Sequence, residues 1–150
     1  ANFSMRLSYG IIQDYTAQGT HFPYFTNAQS LLDKAAKQHE IEDYKLEDDI
    51  IALMKKGNWG RYADRQDKDL HLCFLSNNDI TGGNSGSPVI NGNGELIGLA
   101  FDGNWEAMSG DIIFEPNMQR TISVDIRYVM LIIEKFAGAL NIIEEIDFVE

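Results

Sequence analysis

Ser85 stands in the run Thr81-Gly82-Gly83-Asn84-Ser85-Gly86-Ser87-Pro88-Val89, and its neighbours are those that nucleophilic chemistry asks for. A serine hydroxyl attacks a carbonyl usefully only from an exposed tight turn, with main-chain N–H groups around the oxygen that becomes negative. Glycines on both sides let the backbone reach that conformation without Cβ clashes. The N–H groups of Gly83 and Ser85 are the candidate oxyanion hole, an arrangement in which one donor is worth roughly 3 kcal/mol in the transition state. Pro88 ends the turn and opens the next strand. The plain alternative is a Gly/Ser-rich surface turn, but GNSGSP followed by an apolar strand and hairpin is far more specific than a pair of glycines.

The elements around this loop can be read from periodicity. Residues 3–15 are β-rich, with Met5, Leu7 and Tyr9 alternating against polar neighbours. Residues 27–39 read as a helix with Leu31, Leu32, Ala35 and Ala36 on one face and Thr26 as N-cap. A second helix is expected over 46–55, stopped by Gly57, and the charged stretch 61–69 is expected to be exposed. Residues 70–75 form a short apolar strand. Val89-Ile90, a turn over 91–94 and residues 96–101 form a hairpin. Strands are expected over 112–114 and 121–126, then a closing helix over 127–140 with Val129, Ile132, Ile133 and Phe136 at helical spacing. The acidic tail 142–150 has no assigned role. Short, evenly spaced strands predict a mainly β fold with helices, a small barrel with helical additions. There are no repeats, linkers or low-complexity stretches.

The chain has 150 residues and a formal net charge of −11, from 23 acidic against 12 basic residues. That balance excludes nucleic acid as a partner, because phosphate binding needs a basic face. Cys73 is the single cysteine, so no intrachain disulfide and no cysteine-based metal site can form. The opening ANFSMRLSYG lacks the pattern of a signal peptide, and no window of about twenty apolar residues exists to span a membrane. Without an initiator methionine, and starting at once in strand-like sequence, the chain reads as a piece of a longer protein.

The order strand, GNSGSPV, hairpin, apolar strand resembles the nucleophile region of chymotrypsin-like serine peptidases. The run NDITGGNSGSPVINGNGELIGLAFDGNWEAMSGDIIFEPNMQRTISVDIRYVMLIIEKFAGA, dense from about Asn78 to Ala139, resembles the C-terminal part of the bacterial dipeptidyl-peptidase 7 and dipeptidyl-peptidase 11 family. NFSMRLSYG resembles the start of that family's second barrel, whereas residues 15–70 match loosely. The resemblance implies the second β-barrel of a double-barrel catalytic domain, with a helical segment over about 20–70 and the first barrel absent. It implies a serine exopeptidase that removes dipeptides from free N-termini of oligopeptides, without metal or cofactor, as a homodimer, in the periplasm or cell envelope. Ser85 then matches the nucleophile, Gly83 the oxyanion donor, and Asp102 the carboxylate that holds the substrate's N-terminal ammonium. The dipeptidyl-peptidase 11 members carry an arginine where Gly103 stands here. The glycine implies a pocket for apolar second residues, since no cation there would neutralise a buried carboxylate.

Other candidates carry less. Asp79 sits where trypsin-like enzymes place a pocket-base aspartate, but the family shares NDITGGNSGSP whatever its specificity, so it reads as structural. His21, His39 and His71 do not resemble the family's base, which belongs to the first barrel. The remainder of the catalytic domain, with its His and Asp, is therefore an implied partner, and the fragment alone is expected to be inactive. Trp59 and Trp105 lie near turns, where either could line a pocket or cap the core, and Trp105, next to the proposed pocket, is the better pocket candidate. Glu47-Asp48-Asp49 reads as a solvated helix start, and Met130–Ile133 with Phe136 as core or dimer contacts. Two other readings remain open: a glutamyl-type chymotrypsin-like endopeptidase, whose loop also reads GNSGSPV, and a non-catalytic peptide-binding module.

Overall fold

A computed structural model of the chain describes residues 5–38, 40–109 and 115–149. The expected strand 112–114 and His39 lie outside the described residues. The strands are β1 (Tyr15–Ala17), β2 (Thr20–Phe22), β3 (Phe25–Asn27), β4 (His71–Ser76), β5 (Pro88–Ile90), β6 (Leu96–Gly103) and β7 (Thr121–Asp125). The α-helices are α1 (Ala28–Lys37), α2 (Asp48–Lys56), α3 (Ile126–Leu131) and α4 (Leu140–Glu144). They fall into two units, Ala1–Phe25 with Cys73–Asp125, and Thr26–Leu72 with Ile126–Glu150.

In the first unit β1 and β2 form an antiparallel hairpin on which Tyr15 stacks against Phe22, ring centres 4.7 Å apart. The larger sheet places β4, β7, β6 and β5 side by side, each pair antiparallel. The expected barrel stands among the described residues as an open sheet. The β5–β6 hairpin turns on Asn91, whose side-chain oxygen accepts from the N–H groups of Asn93 and Glu95 at 2.9 and 3.1 Å. Phe74 and Ala100 are buried on this sheet. On β7 the buried positions are the polar Thr121, Ser123 and Asp125, while Ile122 and Val124 are half-buried.

The opening stretch departs from expectation. Residues 5–13 form no regular strand beyond an isolated bridge from Ile12 to Ser76. The segment is tied to the end of β4 by Gln13 N–H donating to Leu75 O (3.1 Å) and Asn77 N–H donating to Ile11 O (3.0 Å). Met5 and Tyr9 are 93% and 91% exposed, so the alternation marks a face that nothing described covers.

The second unit is helical. Asn27, not Thr26, caps α1: its side chain accepts from Ser30 N–H at 3.0 Å, and the Ser30 hydroxyl in turn accepts from Asn27 N–H. Thr26 lies one residue too early to reach those donors. Helix α2 stops at Gly57, which takes φ 64°. The closing helix is interrupted: α3 passes into a wide π turn over Ile132–Phe136, where Ala137 N–H bonds Ile132 O, and α4 comes after Gly138. Leu70 and Leu131 are fully buried with Met54 and Tyr62, each leucine worth about 2 kcal/mol. The stretch 61–69 is thus not simply exposed. The Tyr62 hydroxyl donates to Glu134, and Arg127 donates to Asp64 at 2.8 Å. Of the tail, Ile143 is buried and Phe148 packs edge-on to Tyr62 with Arg61 over its ring, which gives that segment a packing role.

Candidate active site

The serine loop is built by local bonds that its residue types supply. Asn84 closes it, its side-chain oxygen accepting from Thr81 N–H at 2.9 Å while its own N–H donates to Thr81 O at 3.1 Å. Gly83 and Gly86 take φ of +96° and +84°, a region costly for any residue with a Cβ. The loop is pinned to β6 by Gly86 N–H donating to Ala100 O (2.7 Å) and Ala100 N–H donating to Ser87 O (2.9 Å). Ser85 is held up and exposed, and its hydroxyl donates to Phe101 O at 3.2 Å. Among the described residues nothing accepts from the N–H groups of Gly83 and Ser85.

Ser85 opens onto a cleft of about 240 Å³ lined among others by Ile80, Phe101, Asp102, Gly103, Ala107 and Met108. Strand β6 supplies its wall and carries an irregularity there. Ala100 pairs with Ser123, but Asp102 pairs with the next residue back, Ile122, so Phe101 is extra in the ladder. Such a bulge re-aims the side chains beyond it. Asp102 is exposed, and one carboxylate oxygen accepts from Gly103 N–H at 2.8 Å. A Cβ built on Gly103 would stand 2.9 Å from the Ala107 Cβ and 3.6 Å from Ile80 Cγ2, so a side chain there forces the cleft wall to shift. Ser85, Asp102 and Gly103 thus share one cleft. Gly83 sits in the loop at its edge.

A residue of the wall and the arginine bonded to it escaped the sequence reading. Asn104 also lines the cleft and is 6% exposed, bonded at both its amide and its main chain; Arg120, which grips it, is 2% exposed. A polar residue after a turn glycine, and an arginine before a strand, have no periodic signal. Only the assembled carbonyls reveal their use.

The other candidates lie elsewhere. Asp79 is held by Arg6 at 2.9 Å and is not among the residues lining the cleft. His21 pairs with Asp14 at 3.3 Å, and His71 is buried with Nε2 2.8 Å from Asp67; among the described residues no histidine lines the cleft. Trp59 is buried. Trp105 is 80% exposed and lines a separate hollow with Tyr15, Phe22 and Glu106. In that hollow burial and the nearby Glu106 carboxylate push the Tyr15 phenol up, against a hydrogen bond from Asn104. Among the described residues, one group of His, Cys, Asp or Glu side chains is close enough to share a metal: Asp64, Asp67 and His71, with ligand atoms within 4.8 Å. Arg127 already occupies Asp64, and Asp67 already faces His71, so the group's charges are met. No described helix is long and apolar enough to cross a membrane.

The family model described as Peptidase S46 matches residues 1–148. The chain belongs to the peptidase S46 family. It is 52% identical to a dipeptidyl-peptidase 7 of Porphyromonas endodontalis, matching all of this chain and 18% of that protein. It is 42% identical to an Asp/Glu-specific dipeptidyl-peptidase of the same organism, over 97% of this chain and 20% of the relative. The crystal structure of Porphyromonas endodontalis DPP11 in complex with the dipeptide Arg-Glu superposes with a TM-score of 0.89 at 40% identity, covering 97% of this chain and 20% of that one. The chain therefore spans about one fifth of the length of these S46 relatives. Sequence reasoning reached the family through the Ser85 loop and the segment after it.

Proposed function

We propose that this chain is the C-terminal, nucleophile-bearing part of an S46 serine dipeptidyl-peptidase that removes dipeptides from free N-termini and prefers an apolar second residue. One observation carries the reading: Ser85 shares a single cleft with Asp102, and among the described residues the N–H groups of Ser85 and of Gly83 in the same loop are unengaged. Ser85 Oγ attacks the carbonyl carbon of the second residue, and its proton passes to a histidine supplied by the rest of the protein. The oxyanion is received by the N–H groups of Gly83 and Ser85. Collapse expels the shortened peptide as an amine that takes the proton back, leaving a dipeptidyl ester on Ser85 that water hydrolyses. Asp102 holds the substrate's ammonium by a charge-assisted bond, which rewards a free N-terminus. Ile80, Ala107 and Met108 offer an apolar surface, and Gly103 brings no cation to offset a buried carboxylate. A homodimer and a periplasmic or envelope location complete the proposal.

The test is fluorophore release by the full-length protein from dipeptide substrates, apolar or acidic at the second residue, with free or acetylated N-termini. Only free-amine apolar substrates should be cleaved, and Ser85→Ala should lower kcat about 10⁴-fold or more. The isolated 150-residue chain should be inactive. Equal cleavage of acetylated substrates would remove the Asp102 anchor and move the assignment to an endopeptidase.

A further inference from the structure

Asp102 and Gly103 end strand β6, and what fixes their distance from Ser85 lies just beyond them. Every hydrogen-bonding group of Asn104 is engaged. Its N–H donates to Arg120 O at 2.9 Å and its carbonyl accepts from Ala107 N–H at 2.9 Å. Its side-chain oxygen accepts from Arg120 N–H at 2.8 Å, and its amide nitrogen donates to Met118 O at 2.7 Å and to Glu106 at 2.9 Å. The Arg120 end of this clamp is itself held. The guanidinium donates to the main-chain carbonyls of Gln13 (3.2 Å), Asp14 (2.8 Å), Pro116 (2.9 Å), Asn117 (3.3 Å) and Gln119 (2.8 Å). Among the described residues no carboxylate bonds it, and burial pulls its pKa down against the attraction of Asp14. Next to it, Thr121 pairs with Gly103 across the sheet and donates its hydroxyl to Asn78 O at 2.7 Å, on the segment that feeds the serine loop. A buried cation spent on carbonyls is costly unless the geometry it enforces matters.

We infer that Asn104 is a positioning residue: clamped by the Arg120 segment, it sets the reach between Ser85 and Asp102 that makes the site count two residues from a free amine. The inference rests on the proposed function above. Asn104 touches no reacting atom. It acts through Asp102, two residues before it, whose strand is loosened by the Phe101 bulge and is held on its C-terminal side by the pairing of Gly103 with Thr121 and by the Asn104 clamp.

The experiment uses the full-length protein with Asn104→Asp and Asn104→Ser. The aspartate keeps size and the acceptor but loses both amide donations; the serine is small and leaves room for water. Three quantities are read: KM and kcat on a free-amine dipeptide substrate, labelling of Ser85 Oγ by a fluorophosphonate with loss of fluoride, and Tm. The expected result is a KM about tenfold higher in the variants, the size of one weakened charge-assisted bond. kcat should fall far less, and labelling should persist at a rate close to the parent's, because the probe needs no ammonium anchor. If kcat, labelling and Tm collapse together in both variants, or if KM does not move in a folded variant, the inference is overturned. Failure of the unmutated protein to label at Ser85 would instead sink the proposed function, so the two failures are distinguishable.

Discussion

At the scale of single residues, the site depends on where side chains are missing as much as on where they are present. Gly103 is the sharpest case. An arginine there would bring the cation that an acidic substrate wants, yet its Cβ would meet Ala107 at 2.9 Å. Gly103→Arg alone is expected to lower kcat/KM on apolar dipeptide substrates at least about tenfold, with little gain on acidic ones. Adding Ala107→Gly should relieve the contact and let acidic substrates be cleaved. Kinetics on paired substrates read both effects, and equal apolar activity in the single variant would show that the wall yields freely. Of the site proposed above, Ser85, Gly83, Asp102 and Gly103 were legible in sequence as candidates, because tight-turn chemistry admits few residue types and because the segment around them resembles a family. Asn104 and Arg120 were not. Their use lies in carbonyls contributed by residues 13, 14 and 116–119, which only the fold brings together.

At the scale of elements, burial type was harder to read than element type. Strands β4 to β7 and helices α1 and α2 lie close to where periodicity put them, whereas β7 turns its polar residues inward and the charged stretch after α2 docks on the closing helix. Opposite charge is what docks it. Burial works to raise Asp64, but hydrogen bonds from Arg127 and from main-chain N–H groups outweigh it and bring the carboxyl from its ordinary 3.8 to about 2. A carboxyl depressed on folding stabilises above its unfolded pKa and loses that contribution as pH falls through the folded value. Tm should therefore be level above about pH 4 and fall between about 4 and 2. Asp64→Asn should lower Tm at neutral pH by about 5 °C, the shift that 1–2 kcal/mol produces at this size. It should also flatten the acid limb without abolishing it, since Asp67 and Glu134 are depressed too, chiefly by His71 and by Lys135. An unchanged acid limb in calorimetry would mean that the Arg127 pair contributes nothing.

At the scale of the whole molecule, the described surface is acidic yet carries exposed apolar side chains: Met5, Leu7, Tyr9 and Ile11 along the opening segment, Met108 in the cleft and Trp105 in the separate hollow. A chain of this length leaves such faces open only when something else covers them. The isolated chain is expected to bind a hydrophobic dye such as ANS and to scatter light as a species heavier than 16.9 kDa. A dye-silent species of monomer mass would show that these side chains need no cover. The alternation of Met5, Leu7 and Tyr9 was visible in the sequence, but coverage is a property of neighbours and so was not. One further arrangement bears on how such a chain can change over time. The excursion from residue 26 to residue 72 is fastened at both ends, by Leu75 N–H donating to Tyr24 O at 2.7 Å in the first unit and Ala28 N–H donating to Leu70 O at 3.2 Å in the second. Its departure and its return are thus each tied close to their mates, and closing a longer loop costs little extra. A lineage can rewrite, lengthen or exchange what lies between those fastenings while inheriting the serine loop and its wall unaltered.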